Sequence, residues 1–259
     1  KGLALQEPPL PHIAIPTTAG TGSEMTKNAV ICSPERGFKK SMRFDQMIPT
    51  AAVVDPELTL SVPPHVTAFG GMDALTQLIE SCITRKRRPE VTELALDALR
   101  NVQLGLSVAY EDPSNLMARE RMSYVSSMSG ICLANAGLAM AHGIAAALGA
   151  LYNVPHGLAC AVLLPHSLRF NVEACRPELA AALAAFMNLS HPDDSSIDEG
   201  LTGIESLCRW LQIPPDLKFL NLKEEDLRRL ARASLGSSMS ANPVPMTEER
   251  IYEFLKGLT

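Results

Sequence analysis

Between Arg121 and Arg169 lie 47 consecutive residues without Lys, Arg, Asp or Glu. A run of that length without charge points to enclosure more than to a water-facing surface. A membrane span needs ~20 predominantly apolar residues. Here Asn135, His142 and Asn153 interrupt the run, and Pro155 ends its helical part. The run therefore reads as buried helix in a large helical core. The chain can support such a core: 46% of its 259 residues are hydrophobic and 20% charged, which excludes general disorder. A net charge of −5 and 5% aromatic content offer no basic surface for nucleic acid or an anionic membrane, and no base-stacking platform. Neither partner is expected. The six cysteines are scattered without a CxxC pair, which argues against a thiolate zinc site and for reduced thiols in a cytoplasmic protein. No targeting segment is read at Lys1–Pro9. The absence of an initiator Met leads us to expect that the chain is cut or incompletely covered.

The chain changes period near residues 58–64. Before that point, short apolar runs alternate with turn residues. Residues 12–16, 29–32 and 51–55 read as strands, and the intervening Thr17–Glu24 is too rich in Gly and hydroxyls to be one. After it, helical spacing is expected over 65–84, 89–108, 115–150, 156–170, 176–188, 196–211, 223–234 and 247–257, with residues 131–150 at the centre. Proline pairs and Asn/Asp clusters separate these segments. A few strands without crossover helices cannot complete a doubly wound sheet. We therefore read residues 1–61 as the later part of a Rossmann-like nucleotide-binding domain and 62–259 as an all-α domain. An exposed apolar surface is expected along residues 10–55, favouring self-association into a homo-oligomer.

Three groups of residues could carry chemistry. In Pro16–Glu24, small residues permit close backbone approach, and three threonines and a serine add hydroxyls. The segment is neither a P-loop nor a GxGxxG fingerprint, and spacing alone leaves a plain connecting loop equally open. In Phe69–Glu80, Asp73 and Gln77 share a helix face, although a first-turn Asp is more often a dipole-stabilising residue. Finally, His142 and His156 stand inside the uncharged run, across a helix–turn–helix. Two imidazoles in a dry region plus a carboxylate from an earlier helix make an N/N/O set suited to Zn²⁺ or Fe²⁺. Satisfied core histidines are the competing reading.

Pro16–Glu24, Asp55-Pro56-Glu57-Leu58, Gly71-Met72-Asp73-Ala74-Leu75, Pro155-His156-Gly157 and the tail Asn242-Pro243 occur in this order along essentially the whole chain. In these motifs it resembles the iron-containing (group III) alcohol dehydrogenases. The resemblance implies a dehydroquinate synthase-like architecture: a Rossmann-like α/β part, then an all-helical metal-binding domain, with the active site between them. It implies metal ligands at Asp73, Gln77, His142 and His156, and contacts to NAD or NADP from Thr17, Thr18, Thr21, Asn28 and Lys39. It also implies Fe²⁺ or Zn²⁺ and a small alcohol or aldehyde substrate, with hydride passing to or from the nicotinamide. There are departures. Gln77 stands where the family usually has an imidazole. Ala146 stands where many members carry a further His. The family's Gly-rich pyrophosphate loop is not in this sequence, so weak dinucleotide binding by these 259 residues is expected. A metal-free reductase or lyase-like relative on the same fold, and an inactive or structural fragment, are the alternatives.

Overall fold

The structure, a computed structural model, describes Leu5, residues 7–33, Glu35 and 38–259, with the backbone alone described at 32–33 and 38–40. Two small ribbons occupy the first sixty residues. Strand β1 (Ile13–Ala14) runs parallel to β4 (Ala51–Ala52), with Ile13 opposite Ala51. Strand β2 (Asn28–Ser33) is antiparallel to β3 (Phe38–Arg43), with Asn28 opposite Arg43. The strands expected over 12–16 and 51–55 shorten to two residues each. Pro16 cannot donate to a ladder, and Pro56 opens a 3₁₀ turn capped by Asp55. Strand β3 was not anticipated: Phe-Lys-Lys-Ser-Met-Arg carries no β-branched residue, and it is its pairing with β2 that makes it a strand. Leu10, Ile13, Ile15, Val30, Ile31, Ile48 and Val53 are all exposed, Leu10 by 86% and Ile13 by 64%, so the expected apolar surface is present.

Nine helices follow among the described residues: α1 (Pro64–Ile83), α2 (Pro89–Glu111), α3 (Leu116–Ala136), α4 (Met140–Tyr152), α5 (His156–Asn171), α6 (Arg176–Phe186), α7 (Asp194–Trp210), α8 (Glu224–Ala233) and α9 (Glu248–Lys256). Pro64 at the first position of α1 fits there because the missing N–H has no intrahelical acceptor anyway. α1 packs against α2, α3 and α5, and every residue from Gly71 to Ile83 is buried. It, rather than residues 131–150, is the most enclosed helix. Absence of charge marked the latter, whereas α1 hides polar residues that satisfy one another.

The helix expected over 115–150 is two helices, α3 and α4, bent by 103° at 137–139. Gly137 adopts φ 76°, which ends α3 without a Cβ penalty. The new helix then starts at Ala139, whose own side chain cannot cap it. Its first N–H groups are met from elsewhere: Glu80 accepts from Ala139 and Ala141 (2.9 and 2.7 Å), and Asn242 Oδ1 accepts from Met140 (3.1 Å). Asn242 is itself fixed by donating to Asn171 Oδ1 and to the Val244 carbonyl. Among the described residues no single helix is long and apolar enough to cross a membrane.

The threonine loop docks on α3. The Gly20 N–H donates to Ser126 Oγ at 2.8 Å. Gly22 (φ 58°) lies so close to α3 that a Cβ there would stand 2.4 Å from the Ser126 carbonyl oxygen and 2.5 Å from the Gly130 nitrogen. A side chain on Gly130 would in turn meet the Gly22 carbonyl oxygen at 2.1 Å. Two facing glycines thus set the distance between the strand portion and the helices.

Candidate metal centre

Helix α1 offers three polar side chains on one face at positions i, i+4 and i+7: Asp73, Gln77 and Glu80, all nearly fully buried. The bend before α4 swings His142 onto that face. Its Nδ1 lies 2.8 Å from Glu80 Oε2 and its Nε2 lies 3.2 Å from Asp73 Oδ1. Glu80 therefore performs two tasks with one carboxylate. It caps α4 and fixes the imidazole so that Nδ1–H points at Glu80 and Nε2 at the cluster. Asn153, in the left-handed conformation (φ 54°), ends α4, and Pro155 precedes α5, so His156 is the first residue of that helix. Its Nε2 stands 3.6 Å from Asp73 Oδ1. One turn later in α5, Cys160 Sγ stands 3.7 Å from the same His156 nitrogen. One donor atom each from Asp73, His142, His156 and Cys160 lie within 4.8 Å of one another.

The electrostatics follow from burial against partners. Enclosure by itself raises the Asp73 carboxyl, but the hydrogen bond from His142 and the charges of His156 and His142 outweigh it and hold it below its ordinary value. Enclosure disfavours a charged His142, yet Cys160, Asp73 and Glu80 around it raise it well above the usual imidazole value. Burial pushes the Cys160 thiol up to about 12.

Gln77 lies beside Asp73. Its Nε2 donates to Asp73 Oδ2 (3.1 Å), and its Oε1 is met by the Ser129 hydroxyl at 3.0 Å. The cluster forms the buried end of a cleft of about 500 Å³. It is lined by Asp73, Gln77, His142, Ala146 and His156 from the helices and by Thr21, Ser23, Thr26, Asn28, Ser41 and Arg43 from the first part of the chain. Of the residues the sequence pointed to, Asp73, Gln77, His142 and His156 converge, and Thr21 and Asn28 line the same cleft. Thr17 and Thr18 are exposed and are not among its lining residues. Lys39 sits in β3 opposite Cys32, and its side chain lies outside the described residues. Sequence reasoning passed over Glu80 and Cys160. Their signals were the spacings Asp73 to Glu80 (i+7) and His156 to Cys160 (i+4), which place each on a face already singled out.

Residues 67–259 match the family model for the C-terminal part of the Fe-containing alcohol dehydrogenase family, and residues 1–56 match the model for iron-containing alcohol dehydrogenase. The 1,3-propanediol dehydrogenase of Citrobacter freundii is 37% identical over 257 residues, covering 97% of this chain and 66% of that protein. The crystal structure of a 1,3-propanediol oxidoreductase superposes with a TM-score of 0.91 at 33% identity, covering 98% of this chain and 68% of the other. Sulfoacetaldehyde reductase from Bifidobacterium kashiwanohense, solved in complex with NAD⁺, gives 0.87 at 33% identity, with 96% and 65% covered. The chain thus spans just under two thirds of the length of the first of these.

Proposed function

The chain belongs to the iron-containing alcohol dehydrogenase family, and from that premise we propose that it serves an NAD(P)-dependent alcohol dehydrogenase or aldehyde reductase whose substrate oxygen is held at a divalent metal, Fe²⁺ or Zn²⁺. The observation that carries the reading is the convergence of Asp73, His142 and His156 at the buried end of a cleft walled by the threonine loop. The donor set fits an ion. Without an ion, Asp73 and Glu80 favour a charged His142 between them; with the imidazoles neutral as ligands, the same two buried carboxylates would need a cation in its place, because buried negative charge is costly unless compensated. When bound, the ion would supply Lewis-acid polarisation of the alcohol or carbonyl oxygen and the nicotinamide the hydride chemistry.

The remaining work falls to this chain's side chains. Asp73, His142 and His156 would hold the ion, and Glu80 orients His142 from behind. Gln77 lies beside them as a fourth ligand or as a partner of Asp73. The dry wall of α1 and α4 keeps water from screening the site. Thr21 and Asn28, which line the cleft, would contact the dinucleotide. Ala146 offers no titratable group, so any proton relay runs through another residue or through water. A small alcohol or aldehyde is the substrate, the intact protein is cytoplasmic and homo-oligomeric, and neither nucleic acid nor a membrane is a partner.

The test is metal content alongside turnover. After loading with Zn²⁺ or Fe²⁺, the intact protein should oxidise NAD(P)H with a short aldehyde. His142→Ala should lose both bound metal and turnover while keeping its helical circular dichroism. Full turnover after chelation, confirmed metal-free by elemental analysis, would instead support a metal-free reductase, the reading that Gln77 in place of an imidazole favours.

A further inference from the structure

The metal reading leaves a fourth donor position, and Gln77 is poorly disposed to fill it. Both ends of its amide are engaged, one with Asp73 Oδ2 and the other with Ser129. Cys160 is placed differently from three of the other buried cysteines. Cys132, Cys175 and Cys208 have main-chain carbonyl partners, at Val91, Asn171 and Ala161. Cys160 Sγ instead meets His156 Nε2. Three of the six donor spacings, Asp73–His142 (3.2 Å), Asp73–His156 (3.6 Å) and His156–Cys160 (3.7 Å), match edges of a tetrahedron, and all four donors lie within 4.8 Å of one another. With metal–ligand bonds of about 2.0–2.3 Å, those edges are about 3.3–3.6 Å. Cys160 is fully buried and is not part of the cleft wall, whereas Asp73, His142 and His156 are. A bond from its sulfur would therefore come from the enclosed side, and a substrate oxygen arriving from the cleft would make a fifth bond.

Resting on the metal reading above, we propose that Cys160 supplies the fourth donor as a thiolate, that Gln77 positions Asp73 without ligating, and that the resulting two-nitrogen, one-oxygen, one-sulfur set selects Zn²⁺ over Fe²⁺. Sulfur is the softer donor, and thiolate with imidazole suits zinc. Binding displaces the thiol proton to solvent, so charge balances. A single thiolate from a helix replaces the CxxC pattern whose absence had argued against a sulfur ligand.

The experiment is Co²⁺ titration of the metal-stripped chain, followed by absorbance, with Zn²⁺ competition for affinity. The unsubstituted chain should develop a thiolate-to-cobalt charge-transfer band in the near ultraviolet beside the visible d–d bands. Cys160→Ser and Cys160→Ala should keep the d–d bands, lose the charge-transfer band and weaken Zn²⁺ binding by about 10- to 100-fold. Cys208→Ser, in a buried cysteine outside the cluster, should change neither. Cobalt d–d bands without the charge-transfer band, or a band that survives Cys160→Ser, overturn the thiolate assignment and leave the Asp73–His142–His156 centre standing. No cobalt binding by any variant overturns both.

Discussion

The helices and the strand ribbons of this chain treat polar and apolar groups in opposite ways. In α1, six polar residues are buried (Thr67, Asp73, Thr76, Gln77, Glu80 and Ser81), and each has a partner. Among the described residues no buried side-chain nitrogen or oxygen lacks one. In the ribbons, Ile13, Ile15, Val30 and Val53 face outward while the loop between them keeps its hydroxyls at the surface. The lesson is that the two sides of one cleft are prepared to different degrees. The donor cluster is held by buried hydrogen bonds and rigid helix ends. The threonine side is held chiefly by the Gly22–Gly130 approach and by Ser126, so its geometry depends on that docking.

The contrast can be broken most forcefully at Glu80. Glu80→Ala removes the acceptor of two main-chain N–H groups and of His142, leaving buried donors unpaired. We expect a loss of about 3–5 kcal/mol in urea unfolding, with metal content falling alongside. Leu75→Ala, at a fully buried position of the same helix, should cost about 2–5 kcal/mol by leaving a cavity. A value below 1 kcal/mol would show that the helical core is looser than described. Gly22→Ala probes the joint itself. Its φ of 58° and the 2.4 Å approach to Ser126 should displace the loop. Strain of this kind costs roughly 1–3 kcal/mol, and proteolysis should quicken at 17–26 but not within α1. The smallest effect is expected on the bare ribbon. Ile13→Lys should change stability by no more than about 0.5 kcal/mol while reducing self-association in sedimentation. A large destabilisation there would mean that the face is covered.

Much of this was legible beforehand, and the misses have causes. The turn of α4 into α5 was written locally, in Asn153 and Pro155. The break between α3 and α4 was not: only Gly137 marks it, and the groups that start α4 come from Glu80 and Asn242, distant in sequence. The same distance explains the site. Asp73, His142 and His156 stood out by residue type and by the dryness around them. Glu80 looked like an ordinary helix carboxylate and Cys160 like an ordinary core thiol, because their roles arise only when α1, α4 and α5 meet. Strand β3 was hidden because, apart from Phe38, its residues carry no strand preference of their own.

The most direct test of the account is anomalous diffraction from crystals grown with Zn²⁺, recorded on both sides of the zinc absorption edge. The account predicts one strong peak at the buried end of the cleft, with Asp73, His142 and His156 at about 2.0–2.2 Å. Crystals that diffract well but show no peak there, or a peak bound by surface carboxylates alone, would contradict it.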